Sequence, residues 1–353
     1  MIEILKGAIQ RNASDIHIKA GDYIRARING TLVPITKQQV PPDQTRQLAM
    51  QLVPEWERGK IDKLRDYDCS WGAPGVGRFR VNIFRQRGTM GIIMRVIPFE
   101  IPTLEELALP PVLGEIASRN RGLVLVTGVT GAGKSTTLAA MLDHINENRS
   151  QHILTLEDPI EFLHRNKKSS LTQREVGTDT ESFNFGLRAA LREDPDTILV
   201  GEMRDTETID IALKAAETGH LVLSTLHTQN AVKTISRIIS VFPPDEQEMV
   251  RVRLAETIVA LISQRLVPRK DGRGRIAAVE VMLATSTIRE LIREPERTEE
   301  ILDLIAGGRE QYGSQTFDQH LADLVTEDLV DFEVAKNAAT NPSDFELKLR
   351  TLA

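Results

Sequence analysis

The stretch "LVLVTGVTGAGKSTTLAAML", Leu123 to Leu142, limits what this chain can fold into more than any other. Four apolar residues read as a strand buried on both faces, and they run into a loop with Gly128, Gly131 and Gly133 and then into an apolar helix pattern. Gly128–Ser135 fits the phosphate-loop pattern G-x-x-x-x-G-K-[ST], with the required strand before it and helix after it. The glycines let backbone N–H groups close around a β-phosphate while the helix adds its positive N-terminal end. Lys134 supplies a point charge and Ser135 a hydroxyl for Mg2+. Thr130, Gly131, Ala132, Gly133, Lys134, Ser135 and Thr136 are therefore the expected nucleotide-binding residues, with a nucleoside triphosphate and its Mg2+ as the ligands.

A buried strand of this kind needs parallel neighbours. The chain supplies them as "HILTLED", "TILVGEM" and "HLVLSTLH", alternating with helix patterns such as "FNFGLRAALRED" and "TIDIALKAAET". The expectation is an α/β domain with a mostly parallel sheet covered on both faces. From about Pro243 the sequence is rich in helix patterns, and an all-α extension is expected there.

At 353 residues the chain has room for two domains. The first part opens with a helix pattern (Ile2, Leu5, Ile9), then alternates through "DIHIKAG" and "YIRARINGTLVPI", whose Asn29-Gly30 signals a tight hairpin. In "GVGRFRVNIFRQRGTMGIIMRVIP" Phe79, Val81 and Ile83 face one way and Arg78, Arg80 and Asn82 the other, giving one polar, basic face. Pro98, Pro102, Pro110 and Pro111 interrupt regular structure. The expected domains are 1–98 (small, α+β), a linker at 99–111, and 112–353.

Composition narrows the class. The single cysteine, Cys69, makes no internal disulfide, and no Cys/His cluster offers a structural metal site. "MIEILKGAIQRNASD" lacks the apolar core of a secretory signal, and no run approaches the roughly 20 apolar residues that cross a bilayer, so a soluble cytoplasmic protein is expected. Residues 1–98 carry 16 Lys and Arg against 9 Asp and Glu, a net of +7, while the remainder carries 28 against 41, a net of −13. The asymmetry fits either ordinary solvated surfaces or a basic domain of one subunit docked on the acidic domain of another.

In open α/β sheets the groups that act on a ligand sit at the carboxyl ends of strands. "TILVGEMRD" places Glu202 there as general base, and Gly201 occupies the position where many such enzymes carry a metal-binding Asp. Mg2+ coordination then leans on Ser135, water and other carboxylates. "TLEDPIE" supplies Glu157, Asp158 and Glu161 as candidates, with surface acids of a capped loop as the plainer alternative. His220 and His227 flank "LVLSTL"; a regular strand at roughly 3.3 Å per residue holds them about 23 Å apart, too far to share a metal. Only His227 lies at the carboxyl end, near a γ-phosphate, and His220 reads as structural.

The ordered motifs "ASDIHIKAG", "GRFRVN", the phosphate loop, "LEDPIEFLH", "QREVGTDT", "LREDPDTILVGEMRD" and "TGHLVLSTLHT" resemble the secretion-type ATPase superfamily that powers type IV pili and type II and IV secretion. Within it the chain is similar, over nearly its whole length, to the pilus retraction ATPases. The resemblance implies a PAS-like N-terminal domain, a RecA-like second domain and a homo-hexameric ring with ATP between subunits. It also implies Glu202 as catalytic glutamate; the strand-end reading sets Glu161 and His227 beside it and Mg2+ on Ser135, with Glu202 and Asp158 acting through water. As partners it implies an inner-membrane pilus platform protein and a paralogous pilus ATPase, with no nucleic acid. The location implied is cytoplasmic, peripheral to the inner membrane. Val129 stands where the family usually has Pro, and Ala132 where it often has Ser. The family's retraction-associated helix corresponds to "STIRELIRE", Ser286–Glu294, with Ile288, Leu291 and Ile292 as an apolar stripe and Thr287 with Glu290 as a capping box.

Three rival functions stand beside this reading, and one of them, a nucleic-acid translocase, is of another class. An extension ATPase of this superfamily is usually much longer and carries a four-cysteine zinc site, which one cysteine rules out. A nucleic-acid translocase is opposed by the acidic motor half. An auxiliary retraction ATPase stays open. With ATP between subunits, Arg78, Arg80 and Arg95 are candidates to reach a neighbour's γ-phosphate; a solvated arginine face is the alternative.

Overall fold

The computed structural model describes residues 1–98 and 100–352. Position 99, where the expected linker begins, and position 353, where the expected second domain ends, lie outside the described residues. The chain divides into two units, Met1–Glu100 with Glu161–Leu163, and Ile101–Ile160 with His164–Ala353.

The first unit contains α1 (Ile2–Gln10), β1 (Ala13–Lys19), β2 (Tyr23–Ile28), β3 (Thr31–Gln39), α2 (Pro42–Leu52), β4 (Asp66–Ala73), β5 (Gly77–Gln86) and β6 (Thr89–Ile97). The strands form an antiparallel sheet in the order β3-β2-β1-β6-β5-β4. The β2–β3 hairpin turns on Asn29 (φ 49°) and Gly30 (φ 80°), the left-handed pair that matches the twist of the strands it joins. Pro34, which cannot donate to a ladder, sits on the edge strand β3. The two-residue period of β5 buries Phe79, Val81 and Ile83 and leaves Arg80 exposed opposite Arg95 of β6. The buried face packs with Leu5 of α1 and Ala49 and Leu52 of α2.

The second unit holds α3 (Val112–Ala117), β7 (Gly122–Thr127), α4 (Lys134–Asn148), β8 (His152–Glu157), β9 (Ser170–Glu175), α5 (Phe183–Ala190), β10 (Thr197–Val200), α6 (Thr206–Glu217), β11 (Leu221–Leu226), α7 (Ala231–Ser240), α8 (Gln247–Thr257), β12 (Ile258–Pro268), β13 (Arg275–Leu283) and α9 (Ser286–Arg293). Five short helices follow: α10 (Ile301–Gly307), α11 (Arg309–Tyr312), α12 (Phe317–Thr326), α13 (Phe332–Ala338) and α14 (Pro342–Leu352). The sheet order is β13-β12-β7-β11-β10-β8-β9, parallel except for β13. Every residue of β7, β10 and β11 is buried. Leu138, Met141, Leu142 and Ile145 of α4 cover one face with Val124, Val126, Ala260 and Ile262. Residues of α6, α7 and α8 cover the other with Leu123, Leu125 and Leu261. The expected α/β architecture, covered on both faces, is present.

The segment after Pro243 corrects the all-α expectation, because two strands lie within it. β12 pairs in parallel with β7 and β13 pairs antiparallel with β12. Without them β7 would present a row of unpaired N–H and C=O groups at the sheet edge. Two apolar runs, "IVALISQRLVP" and "RIAAVEVML", meet at a turn with Gly272 (φ 69°) and Gly274 (φ 90°), a hairpin signal overshadowed by the helix patterns around it. Helix dominates only from Ser286. In α9 the expected stripe of Ile288, Leu291 and Ile292 is buried, but the N-cap is Thr285, whose hydroxyl accepts from the Ile288 N–H, and not Thr287. Thr285 is the last extended residue, so its hydroxyl faces the free amides. Among the described residues no helix is long and apolar enough to cross a membrane.

Candidate nucleotide site

Because β7, β11, β10 and β8 are adjacent and parallel, their carboxyl ends share one edge of the sheet. That edge carries the phosphate loop after β7, His227 after β11, Glu202 after β10 and Asp158 after β8.

Where β12 comes close, at two positions, the loop has room for glycine alone. Gly128 lies at φ 147°, and a Cβ on it would meet the Gln264 carbonyl oxygen at 2.5 Å. Gly133, at φ 89°, would meet Gln264 Nε2 at 2.8 Å. Gly133 caps α4 with no side-chain bond, which leaves the first-turn N–H groups of α4 facing the loop, the arrangement that receives an anion. Lys134 is buried, and its Nζ donates to the carbonyls of Gly128 (3.0 Å) and Val129 (3.2 Å). Burial lowers the pKa of its ammonium, and the Glu202 carboxylate opposes that shift. Ala132 is buried, Thr136 half-buried, and Thr130, Gly131 and Ser135 are exposed on the rim. The uncapped amides, the buried ammonium and the exposed Ser135 hydroxyl suit a nucleotide phosphate with its Mg2+.

Glu202 is 14% exposed; its Oε2 lies 3.5 Å from Nε2 of His227, and its Oε1 pairs with Arg204. The loop carrying it is stitched to β11, since Thr225 Oγ1 donates to the Gly201 carbonyl (2.7 Å) and the Met203 N–H to the Thr225 carbonyl (3.2 Å). A Cβ at Gly201 would sit 3.2 Å from the Leu156 carbonyl oxygen, so an aspartate would crowd this position. Lys134, Glu202 and His227 are thus brought to one edge. Glu157 is not offered to a ligand: it is buried, accepting from Thr155 Oγ1 (2.7 Å) and Gln173 Nε2 (3.1 Å). Asp158 is exposed at the strand end. Glu161 falls in the Glu161–Leu163 stretch that groups with the first unit. His220 begins the opposite end of β11, with Nδ1 2.9 Å from the Ala215 carbonyl, where it ties down the end of α6.

Within the first unit Arg78 is half-buried and Arg80 exposed, and Arg95 donates from Nε to Asp15 Oδ1 at 2.9 Å. The three arginines therefore differ in exposure, and the Arg95 guanidinium is paired with a carboxylate.

Sequence reasoning missed Gln264. This buried amide takes a hydrogen bond from Thr137 Oγ1 of α4 (2.9 Å) and gives one to the Ala132 carbonyl (2.8 Å), clamping loop to helix. The available signal was an amide at the centre of the polar triplet Ser263-Gln264-Arg265 that interrupts an apolar run.

The family model described as "Type II/IV secretion system protein" matches residues 78–330. A type IV pilus retraction ATPase, PilT, of Pseudomonas aeruginosa is 46% identical over 97% of this chain and 99% of its own length. A type IV pilus ATPase of the same organism, PilU, is 42% identical over 99% of this chain and 91% of its own. The crystal structure of the pilus retraction motor PilT with bound ADP superposes with a TM-score of 0.89, 46% identity and 98% of each chain covered. With a phosphate loop, a glutamate and a histidine on one sheet edge and likeness at this level along its whole length, the chain belongs to the type II/IV secretion system protein family.

Proposed function

We propose that this chain is a motor ATPase that drives type IV pilus retraction. The observation that carries the reading is that the likeness to PilT extends over both units, so that the nucleotide site and the basic strand β5 come from one shared machine. Residues 1–98 and 112–353 act as its two domains, and the working form is a homo-hexameric ring with ATP between subunits.

The chemistry follows from the site. The Lys134 ammonium, now held by two loop carbonyls, turns to phosphate oxygens, with the first-turn amides of α4 beside it. Glu202 orients the attacking water and takes its proton; its position against His227 fixes where that proton goes. Ser135, with Glu202 and Asp158 through water, holds Mg2+, which when bound neutralises charge on the phosphates. Arg78, Arg80 and Arg95 reach a neighbour's nucleotide. A site completed across subunits opens and closes with nucleotide state, so that hydrolysis becomes a rigid-body stroke. The ring works in the cytoplasm against an inner-membrane platform protein, alongside a paralogous ATPase. The comparable likeness to PilU supports a second reading, an auxiliary retraction ATPase.

The test is turnover of the isolated protein. Glu202→Gln should bind nucleotide normally yet hydrolyse it roughly 10²-fold more slowly, the scale of a lost positioned base. Equal turnover in the two proteins would contradict the assignment.

A further inference from the structure

Glu280 sits between Val279 and Val281 on β13 and is 3% exposed. Its Oε1 accepts the N–H of Ala231 (2.8 Å), the first residue of α7, and the hydroxyl of Ser263 on β12 (3.2 Å). Ser263 Oγ accepts in turn from Thr127 Oγ1 (3.2 Å), the last residue of β7 before the phosphate loop. The three side chains are register partners, Thr127 with Ser263 and Ser263 with Glu280, so they form a polar row across three neighbouring strands. Ala231 lies four residues beyond His227, and the other cap of α7, Asn230 Oδ1, is occupied by the Lys233 N–H. Burial raises the Glu280 pKa, and of the charged groups acting on it Arg265 opposes the shift while Asp318 adds to it. Apolar side chains would fill this space without the desolvation cost of a carboxyl group. What the carboxyl group adds is an anchor for one backbone N–H.

We propose that Glu280, with Ser263 and Thr127, is a positioning relay that holds the His227–Asn230 loop at a fixed distance from the phosphate loop and so keeps His227 against Glu202. It rests on the reading above that His227 and Glu202 act on the nucleotide. Glu280→Met removes the anchor at similar volume, whereas Glu280→Gln retains an acceptor oxygen.

Three readouts on the full chain test the relay: ADP affinity, ATP turnover, and amide exchange across 228–235. Glu280→Met should leave ADP affinity within about threefold and lower kcat about tenfold or more, as expected when a reacting group is misplaced by a fraction of an ångström. It should also speed exchange at Ala231, and Glu280→Gln should restore most of both. In a His227→Ala background Glu280→Met should cost nothing further, because the two losses share one route. Multiplicative losses, or equal damage from Met and Gln, would overturn the relay. Should Glu280→Met not fold, Ser263→Ala must show the same kcat-selective loss on a smaller scale, and unchanged kcat and exchange there would also overturn it. Unaltered turnover in His227→Ala sinks the reading of His227, and the relay's purpose with it. Normal exchange in Glu280→Met beside an active His227 sinks the relay alone.

Discussion

Replacing Gln264 with Met keeps the volume of the side chain and removes the clamp beneath the phosphate loop. Two buried groups then lose their partners: the Thr137 hydroxyl, which donates to Oε1 at 2.9 Å, and the Ala132 carbonyl, which accepts from Nε2 at 2.8 Å. Both residues are almost fully covered, at 1% and 2% exposure, so water cannot stand in for the lost amide. Each orphaned group costs about 1–3 kcal/mol, which sets the loss for Gln264→Met at about 2–6 kcal/mol. The second substitution carries the diagnostic weight. Adding Thr137→Val removes the orphaned hydroxyl and leaves only the Ala132 carbonyl unmet, so the double variant should recover about 1–2 kcal/mol relative to the single. The assay is urea unfolding of the full chain, read as midpoint at constant slope. A double variant as unstable as Gln264→Met, or less stable, would refute the hydrogen-bond account and leave lost packing as the cause.

Two further outcomes follow from other parts of the chain. Rings of Lys134→Ala subunits and rings of Arg78→Ala/Arg80→Ala/Arg95→Ala subunits should both be inactive, the latter by about 10³- to 10⁵-fold if the arginines serve a transition state, yet mixed rings should regain some ATPase. No recovery in rings shown to have mixed would count against action in trans. His320, buried and accepting the Val279 N–H at Nδ1, has its pKa pushed down by burial to about 4. Its folded pKa lies below its unfolded one, so the neutral ring's contribution is complete above pH 6.5 and is lost as pH falls toward 4. The slope is about 1.4 kcal/mol per pH unit, and His320→Gln should flatten it.

Much of the site was legible because its parts sit where strand and helix patterns change. Gly128–Ser135 announces itself by spacing, and Glu202 and His227 each follow an apolar strand run, which fixes them at one sheet edge. Their mutual distance, and the Arg204 pairing of Glu202, are tertiary facts that no local pattern carries. The hairpin β12–β13 was hidden because its strands are followed by a long helical stretch, and with it went Gln264, Ser263 and Glu280. These three act through neighbours more than a hundred residues away or across the hairpin, and their types alone do not reveal it. The N-cap of α9 was misread by two residues, within the usual uncertainty of helix ends. Arg95 is a candidate for a neighbour's γ-phosphate by sequence, and its Asp15 partner becomes visible only once β1 and β6 are paired.

The central claim is that hydrolysis at this site withdraws pili, and one measurement addresses it directly. The gene is deleted in its host, surface pili are counted, and the strain is complemented with the wild-type chain or with Glu202→Gln. The account predicts excess pili that do not retract, corrected by the wild-type chain and not by the variant. Cells without pili, or correction by Glu202→Gln equal to that by the wild type, would contradict it.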